Sequence, residues 1–264
     1  MTRLVVVGGG RMGHALLGGL LRSGWAAPGD LAVVEPLATA RAELEERYPG
    51  IVVAETTVAA ECAVLAVKPA DAQAGCRTIA GSDCRRAVSI VAGVTIAQLE
   101  TWIGRGVAVL RAMPNTPAVL GAGASALAGG TSVTENDFMW AEGVLSSLGV
   151  VVRLAEYQLD AVTGLSGSGP AYVFLLAEAL VEAGVNEGLD REVSRLLAVQ
   201  TLLGSARLLA ETGDPPEVLR AAVTSPGGTT AAALRVLEAH GFRSSVLEAV
   251  AAAAERSREL GRKE

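Results

Sequence analysis

The chain has 264 residues, half of them hydrophobic and 19% charged, with a formal net charge of −6. That supports a sizeable core, excludes a disordered chain and allows one large domain or two small ones. The acidic balance argues against a nucleic-acid binder, which needs a clustered basic surface.

Met1-Thr2-Arg3 leads into a short apolar run and then glycines, unlike a secretory signal. No stretch of about 20 residues lacks both charges and turn formers, so no membrane span is expected. The cysteines, Cys62, Cys76 and Cys84, are odd in number and irregularly spaced. That argues against a disulfide framework or a metal site and suits a cytoplasmic protein with buried thiols.

Short β-rich runs at 4–7, 31–34, 62–67, 87–91 and 107–112 alternate with helix-like stretches such as 12–23 and 38–48. Weaker strands follow at 125–128 and 150–154, around a helix at 134–148. Continuous apolar strands between helices predict an α/β fold with a Rossmann-type doubly wound sheet. Beyond residue 157 strand signals stop, and helices are expected at 171–183, 191–212, 216–224, 230–239 and 244–260, with 256–264 as a fraying end. The division is 1–157 for a dinucleotide-binding domain and 158–264 for an all-helical domain. The helices are apolar on nearly every side, as in Val246–Ala254, and about 100 residues cannot bury them alone. A second copy would complete that core, predicting a homodimer.

Val5-Val6-Val7-Gly8-Gly9-Gly10-Arg11-Met12-Gly13 carries G-x-G-x-x-G between a strand and a helix. Gly8 permits the tight turn, Gly10 the approach of a pyrophosphate, and Gly13 close helix–strand packing. The N–H groups at the helix start, from Arg11 and Met12, face the phosphates. Glu35 closes the second strand, near the spacing expected for an acid on the ribose 2′-hydroxyl, and favours NADH. Arg41 in the following loop can reach a 2′-phosphate, so NADPH stays open.

Four further segments carry a resemblance: Ala66-Val67-Lys68-Pro69, Arg111-Ala112-Met113-Pro114-Asn115-Thr116-Pro117, Leu165-Ser166-Gly167-Ser168-Gly169-Pro170, and Thr224-Ser225-Pro226-Gly227-Gly228-Thr229-Thr230. With the glycine loop they resemble the pyrroline-5-carboxylate reductase family from residue 3 to about 260. The resemblance implies reduction of 1-pyrroline-5-carboxylate to L-proline by NADH or NADPH. It also implies a helical domain that interlocks in a dimer, with decamers of dimers in some members. It places Ala66, Val67, Lys68 and Pro69 along the cofactor, and Asn115 near the nicotinamide and substrate. Ala92 and Gly93, beyond the 87–91 strand, are expected to let the backbone approach the nicotinamide. Ser225, Gly227, Gly228, Thr229 and Thr230 sit where N–H groups and hydroxyls would hold a carboxylate. Thr230 is assigned to the ring nitrogen by the resemblance. A hydroxyacid dehydrogenase is the competing class. It would need a lysine in the helical domain, and Lys263 is the lysine available there.

Overall fold

A computed structural model describes residues 2–262 of the chain. Lys263, and the end of the tail expected to fray, lie outside them. The strands are β1 (Thr2–Val7), β2 (Leu31–Val34), β3 (Val52–Ala54), β4 (Ala60–Leu65), β5 (Arg86–Ser89), β6 (Ala108–Met113), β7 (Gly123–Gly129) and β8 (Gly149–Arg153). They join in the order β3-β2-β1-β4-β5-β6-β7-β8. Helices α1 (Arg11–Arg22), α2 (Ala38–Arg47), α3 (Ala72–Ala80), α4 (Ile96–Ile103) and α5 (Glu135–Leu145) connect or cover them.

The apolar strands are buried on both faces. Leu4 and Val6 of β1 belong to one core layer with Leu16, Leu17 and Leu20 of α1. Val5 and Val7 point the other way, into a layer with Ile79 of α3 and Leu99 of α4. Strand side chains alternate between faces, so a run with no polar interruption needs helices on both sides.

Two features depart from a simple parallel sheet. β3 has only three half-exposed residues at the sheet edge, too short to signal itself in sequence. β7 runs antiparallel to β6. The link between them holds only a 3₁₀ turn, Thr116–Leu120, and a parallel return needs a crossover of a dozen residues or more.

The rest is helical: α6 (Leu159–Val162), a π-helical turn Thr163–Gly167, α7 (Gly169–Asn186), α8 (Arg191–Thr212), α9 (Pro216–Ala222), α10 (Thr229–Ala239) and α11 (Phe242–Arg262). α8 starts where the Asp190 carboxylate accepts from Glu192 N at 2.8 Å, and stops at Gly213, φ +69°. Two compact units emerge, one up to Ser168 and again from Ala251, the other Gly169–Val250. The boundary expected after residue 157 thus falls inside the first unit. Ser257 Oγ donates to Asp160 Oδ1 at 2.6 Å and ties the end of α11 to α6.

The second unit has almost no interior of its own. Among its described residues only Ser194 and Ala198 are buried, while Phe174, Leu175, Leu196, Leu197 and Leu203 are exposed. The helical run Glu156–Asn186 contains a stretch of mean hydropathy 1.3 that is 6% buried. By length and composition alone it is apolar enough to cross a membrane, where the sequence pattern led us to expect no span.

Candidate functional site

The three glycines of the first turn have different neighbours. Gly8 holds φ +108° and donates to Val34 O at 2.9 Å. A Cβ on it would lie 2.7 Å from the Ala66 carbonyl oxygen. A Cβ on Gly13 would overlap the Gly8 carbonyl, so α1 approaches β1 only because Gly13 lacks one. Gly10 is exposed, caps α1, and a Cβ there would meet nothing within 4 Å. Folding accounts for Gly8 and Gly13, while the open space at Gly10 fits a ligand. His14 N is bonded to Gly10 O, so the N–H groups of Arg11, Met12 and Gly13 are the ones a helix start leaves for an anion.

Glu35 directly follows β2 and is buried. Its Oε2 accepts from Gly9 N at 2.9 Å and its Oε1 from Leu37 N at 3.0 Å. The carboxylate is thereby fixed beside the glycine turn, and each oxygen keeps a lone pair for a hydroxyl donor. Arg41 lies in the first turn of α2 and braces the same loop, donating to Glu35 O at 3.0 Å and Pro36 O at 2.7 Å.

Ala66, Val67, Lys68 and Pro69 follow β4, where Ala66 N donates to Val7 O at 2.8 Å. Ala66 and Val67 are half-buried, and exposed Lys68 opens a 3₁₀ turn, Pro69–Asp71. Ala92 and Gly93 follow β5, Gly93 at φ +77°. Thr95 then caps α4 in a reciprocal box, its Oγ1 accepting from Gln98 N at 3.3 Å and its N–H donating to Gln98 Oε1 at 2.9 Å. Asn115 follows β6. Its Nδ2 donates to Ser166 O at 3.0 Å and its Oδ1 accepts from Ala124 N at 2.9 Å. The amide ties the start of β7 to the π-helical turn and keeps one N–H in hand. All these residues follow the carboxyl ends of β1, β2, β4, β5 and β6, five neighbours in the sheet. That edge is where open α/β sheets bind ligands, and its open glycine turn and fixed acid fit a dinucleotide.

A charged link beside this edge is absent from the sequence reading. Arg111 on β6 is buried, and its Nη1 donates to Glu156 Oε1 at 3.0 Å. The same oxygen accepts from Ile96 N at 2.7 Å. Glu156 thus joins β6 to the start of α4, two residues beyond Val94. Its partners stand 45 and 60 residues away, so no local pattern announces it. Glu156→Ala strips a buried guanidinium and a helix-start N–H of their acceptor. It should lower stability by roughly 2–4 kcal/mol. Urea unfolding at neutral pH checks this, and an unchanged midpoint would count the link as idle.

The second unit carries the Ser225–Thr230 segment. Gly227 takes φ +69°, Gly228 N donates to Ser225 O at 3.1 Å, and Gly228 is the N-cap of α10. The helix begins at Thr229, one residue before the expected start. Ala232 N is bonded to Gly228 O, which leaves the N–H groups of Thr229, Thr230 and Ala231 uncommitted. Thr229 is exposed and Thr230 half-buried. Ser168 directly precedes α7 but does not cap it. It holds helical angles, φ −84° and ψ −20°, whereas a cap must leave the helix.

Cys62, Cys76 and Cys84 are free and buried. Burial pushes the thiols of Cys62 and Cys76 up to about 11, so they stay protonated and unreactive near neutrality. Among the described residues no cluster of His, Cys, Asp and Glu could hold a metal ion.

Comparison with known proteins agrees over the whole chain. The family model of pyrroline-5-carboxylate reductase dimerisation matches residues 156–260, and that of NADP oxidoreductase, coenzyme F420-dependent, matches 3–93. A pyrroline-5-carboxylate reductase of Mycobacterium tuberculosis is 44% identical over 287 residues, covering 98% of this chain and 97% of the relative. The structure of a pyrroline-5-carboxylate reductase from Coxiella burnetii superposes with a TM-score of 0.92 at 35% identity, covering 99% of both chains. That of Plasmodium falciparum pyrroline carboxylate reductase with NADP bound gives 0.85 at 31%, covering 98% of both. The chain belongs to the pyrroline-5-carboxylate reductase family.

Proposed function

We propose that this chain reduces the C=N bond of 1-pyrroline-5-carboxylate to give L-proline, as the last step of proline synthesis, and that it does so with NADH in preference to NADPH. The observation that carries the reading is the pairing of two local devices in one chain. One is the glycine turn with the fixed Glu35 carboxylate, and the other is the Gly228-capped start of α10 with its uncommitted N–H groups.

A nicotinamide dinucleotide supplies hydride from C4 of its ring when bound. The α1 start faces the pyrophosphate, Glu35 accepts from the ribose, and Ala66–Pro69 and Ala92–Gly93 line the remainder. Gly227, Gly228, Thr229 and Ser225 hold the substrate carboxylate by N–H and hydroxyl donors, and Asn115 supports the nicotinamide end. Thr230 donates to the ring nitrogen, orienting the imine so that its carbon is attacked from one face, and relays to that nitrogen the proton from water that completes the reduction. The work is largely proximity and orientation. A fixed carboxylate at the ribose repels a 2′-phosphate, which favours NADH.

The active unit is a homodimer in the cytoplasm, where three free thiols persist. The matched dimerisation segment contains the whole of the apolar Glu156–Asn186 run, so a partner's helices, and not lipid, cover it. Larger assemblies of dimers follow the resemblance alone, and sedimentation separates them.

Absorbance of NADH and NADPH, with and without 1-pyrroline-5-carboxylate and with proline quantified, tests the activity. Proline formed faster with NADH is expected. Faster turnover with NADPH removes the Glu35 argument but not the activity, and no proline with either removes the activity. Thr230→Ala should lower kcat on the order of a hundredfold with little change in the cofactor KM. Unchanged kcat would take Thr230 out of the mechanism.

A further inference from the structure

Arg41 stands six residues beyond Glu35, on the helix that follows the ribose-facing loop. A guanidinium in such a place is the natural partner of a 2′-phosphate, by charge and by its planar fork of donors. Here that fork is engaged. Nη1 donates to Glu35 O at 3.0 Å and to Pro36 O at 2.7 Å. Nη2 donates to Glu55 Oε2 at 3.1 Å. Glu55 immediately follows β3, the edge strand beside β2, and its side chain is 66% exposed while that of Arg41 is 20% exposed. An exposed acid thus draws a mostly covered base against the backbone of the loop.

We infer that Glu55 is a specificity-determining residue: it holds the Arg41 guanidinium on the carbonyls of Glu35 and Pro36, so that this guanidinium is withheld from a 2′-phosphate. The inference rests on reading the Glu35 loop as the adenosine-ribose site. Charge counting supports it. Glu35, Arg41 and Glu55 sum to −1, and a phosphate monoester brings about −1.5 to −2 more. Without Glu55 the sum is zero, and the guanidinium can turn to a phosphate, where an ion pair replaces two bonds to neutral carbonyls. Glu35 and Glu55 then have separate tasks. Glu35 offers acceptors to a ribose hydroxyl, and Glu55 withholds the base that would reward a phosphate in its place.

The test is calorimetric titration of the full chain with adenosine 2′,5′-bisphosphate and with 5′-AMP, beside kcat/KM for NADPH and NADH. Glu55→Ala and Glu55→Gln should each tighten the bisphosphate roughly tenfold, the scale of removing one nearby like charge. AMP affinity should stay within about twofold, because an exposed ion pair adds little to stability. Adding Arg41→Ala to Glu55→Ala should cancel the gain. Unchanged bisphosphate affinity in both Glu55 variants overturns the inference, and so does a gain that persists without Arg41. If the unaltered protein already favours the bisphosphate over AMP, the NADH reading fails and Arg41→Ala alone decides. Loss of affinity then shows that Arg41 already serves the phosphate and overturns the inference, while no loss shows it held by Glu55. If neither nucleotide binds, the ribose-site reading is wrong and the inference falls with it. None of the binding arms depends on the imine substrate.

Discussion

Leu196→Asp combined with Leu203→Asp should leave little folded, assembled protein. The two leucines lie seven residues apart on one face of α8, with Val199 between them, and are 65% and 46% exposed in the single chain. Were the chain to act alone, exposed positions like these would tolerate the change within about 0.5 kcal/mol. The unit that contains them buries only Ser194 and Ala198 among its described residues, which cannot offset the entropy of ordering it. In the proposed homodimer a partner's apolar surface supplies that stability, at about 1.5–3 kcal/mol for each leucine covered, and each aspartate forced into that interface adds an uncompensated charge. Light scattering and urea unfolding of the purified variant measure the result. Wild-type mass and wild-type midpoint together would mean that this face of α8 meets solvent.

Gly10→Ala and Gly13→Ala should separate cofactor binding from folding within a single turn. At Gly10 the backbone is ordinary, φ −74°, and a Cβ meets no neighbour, so the fold loses only the cap preference, about 1 kcal/mol or less. In the proposed cofactor site this space takes the pyrophosphate, so NADH affinity should fall on the order of tenfold or more. At Gly13 the added atom overlaps the Gly8 carbonyl, so α1 must move off β1. That repacking costs about 1–3 kcal/mol and displaces the anion-facing N–H groups as well. Thermal melting and fluorescence titration with NADH give both quantities for both variants. A Gly10 variant that binds NADH normally would remove the phosphate from this turn.

Much of this was legible without coordinates because it rests on neighbours in sequence. The unbroken apolar run of β1, the turn signals, and the strand–glycine–helix run at Val5–Gly13 each constrain the few residues around them. The all-round apolar helices raised the expectation of a partner for the same reason, and the chain matches a dimerisation domain over 156–260. The C-terminal boundary of the sheet domain was less legible. The tie that carries it to Ser168 pairs Asn115 with Ser166 O, and no periodicity marks such a contact.

The sequence by itself therefore determined the two kinds of architecture, the strand–glycine–helix turn, and, through its motifs, the family. Each is written in short runs of residues whose spacing physics constrains. Only the tertiary structure decided what Arg41, Asn115, Arg111 and Glu156 do. Glu35, Arg41 and Glu55 meet because the ends of β2 and β3 lie side by side, and Glu156 meets Arg111 and Ile96 N across 45 and 60 residues. A hydrogen bond depends on position in space to within a few tenths of an ångström, and separation along the chain does not encode it.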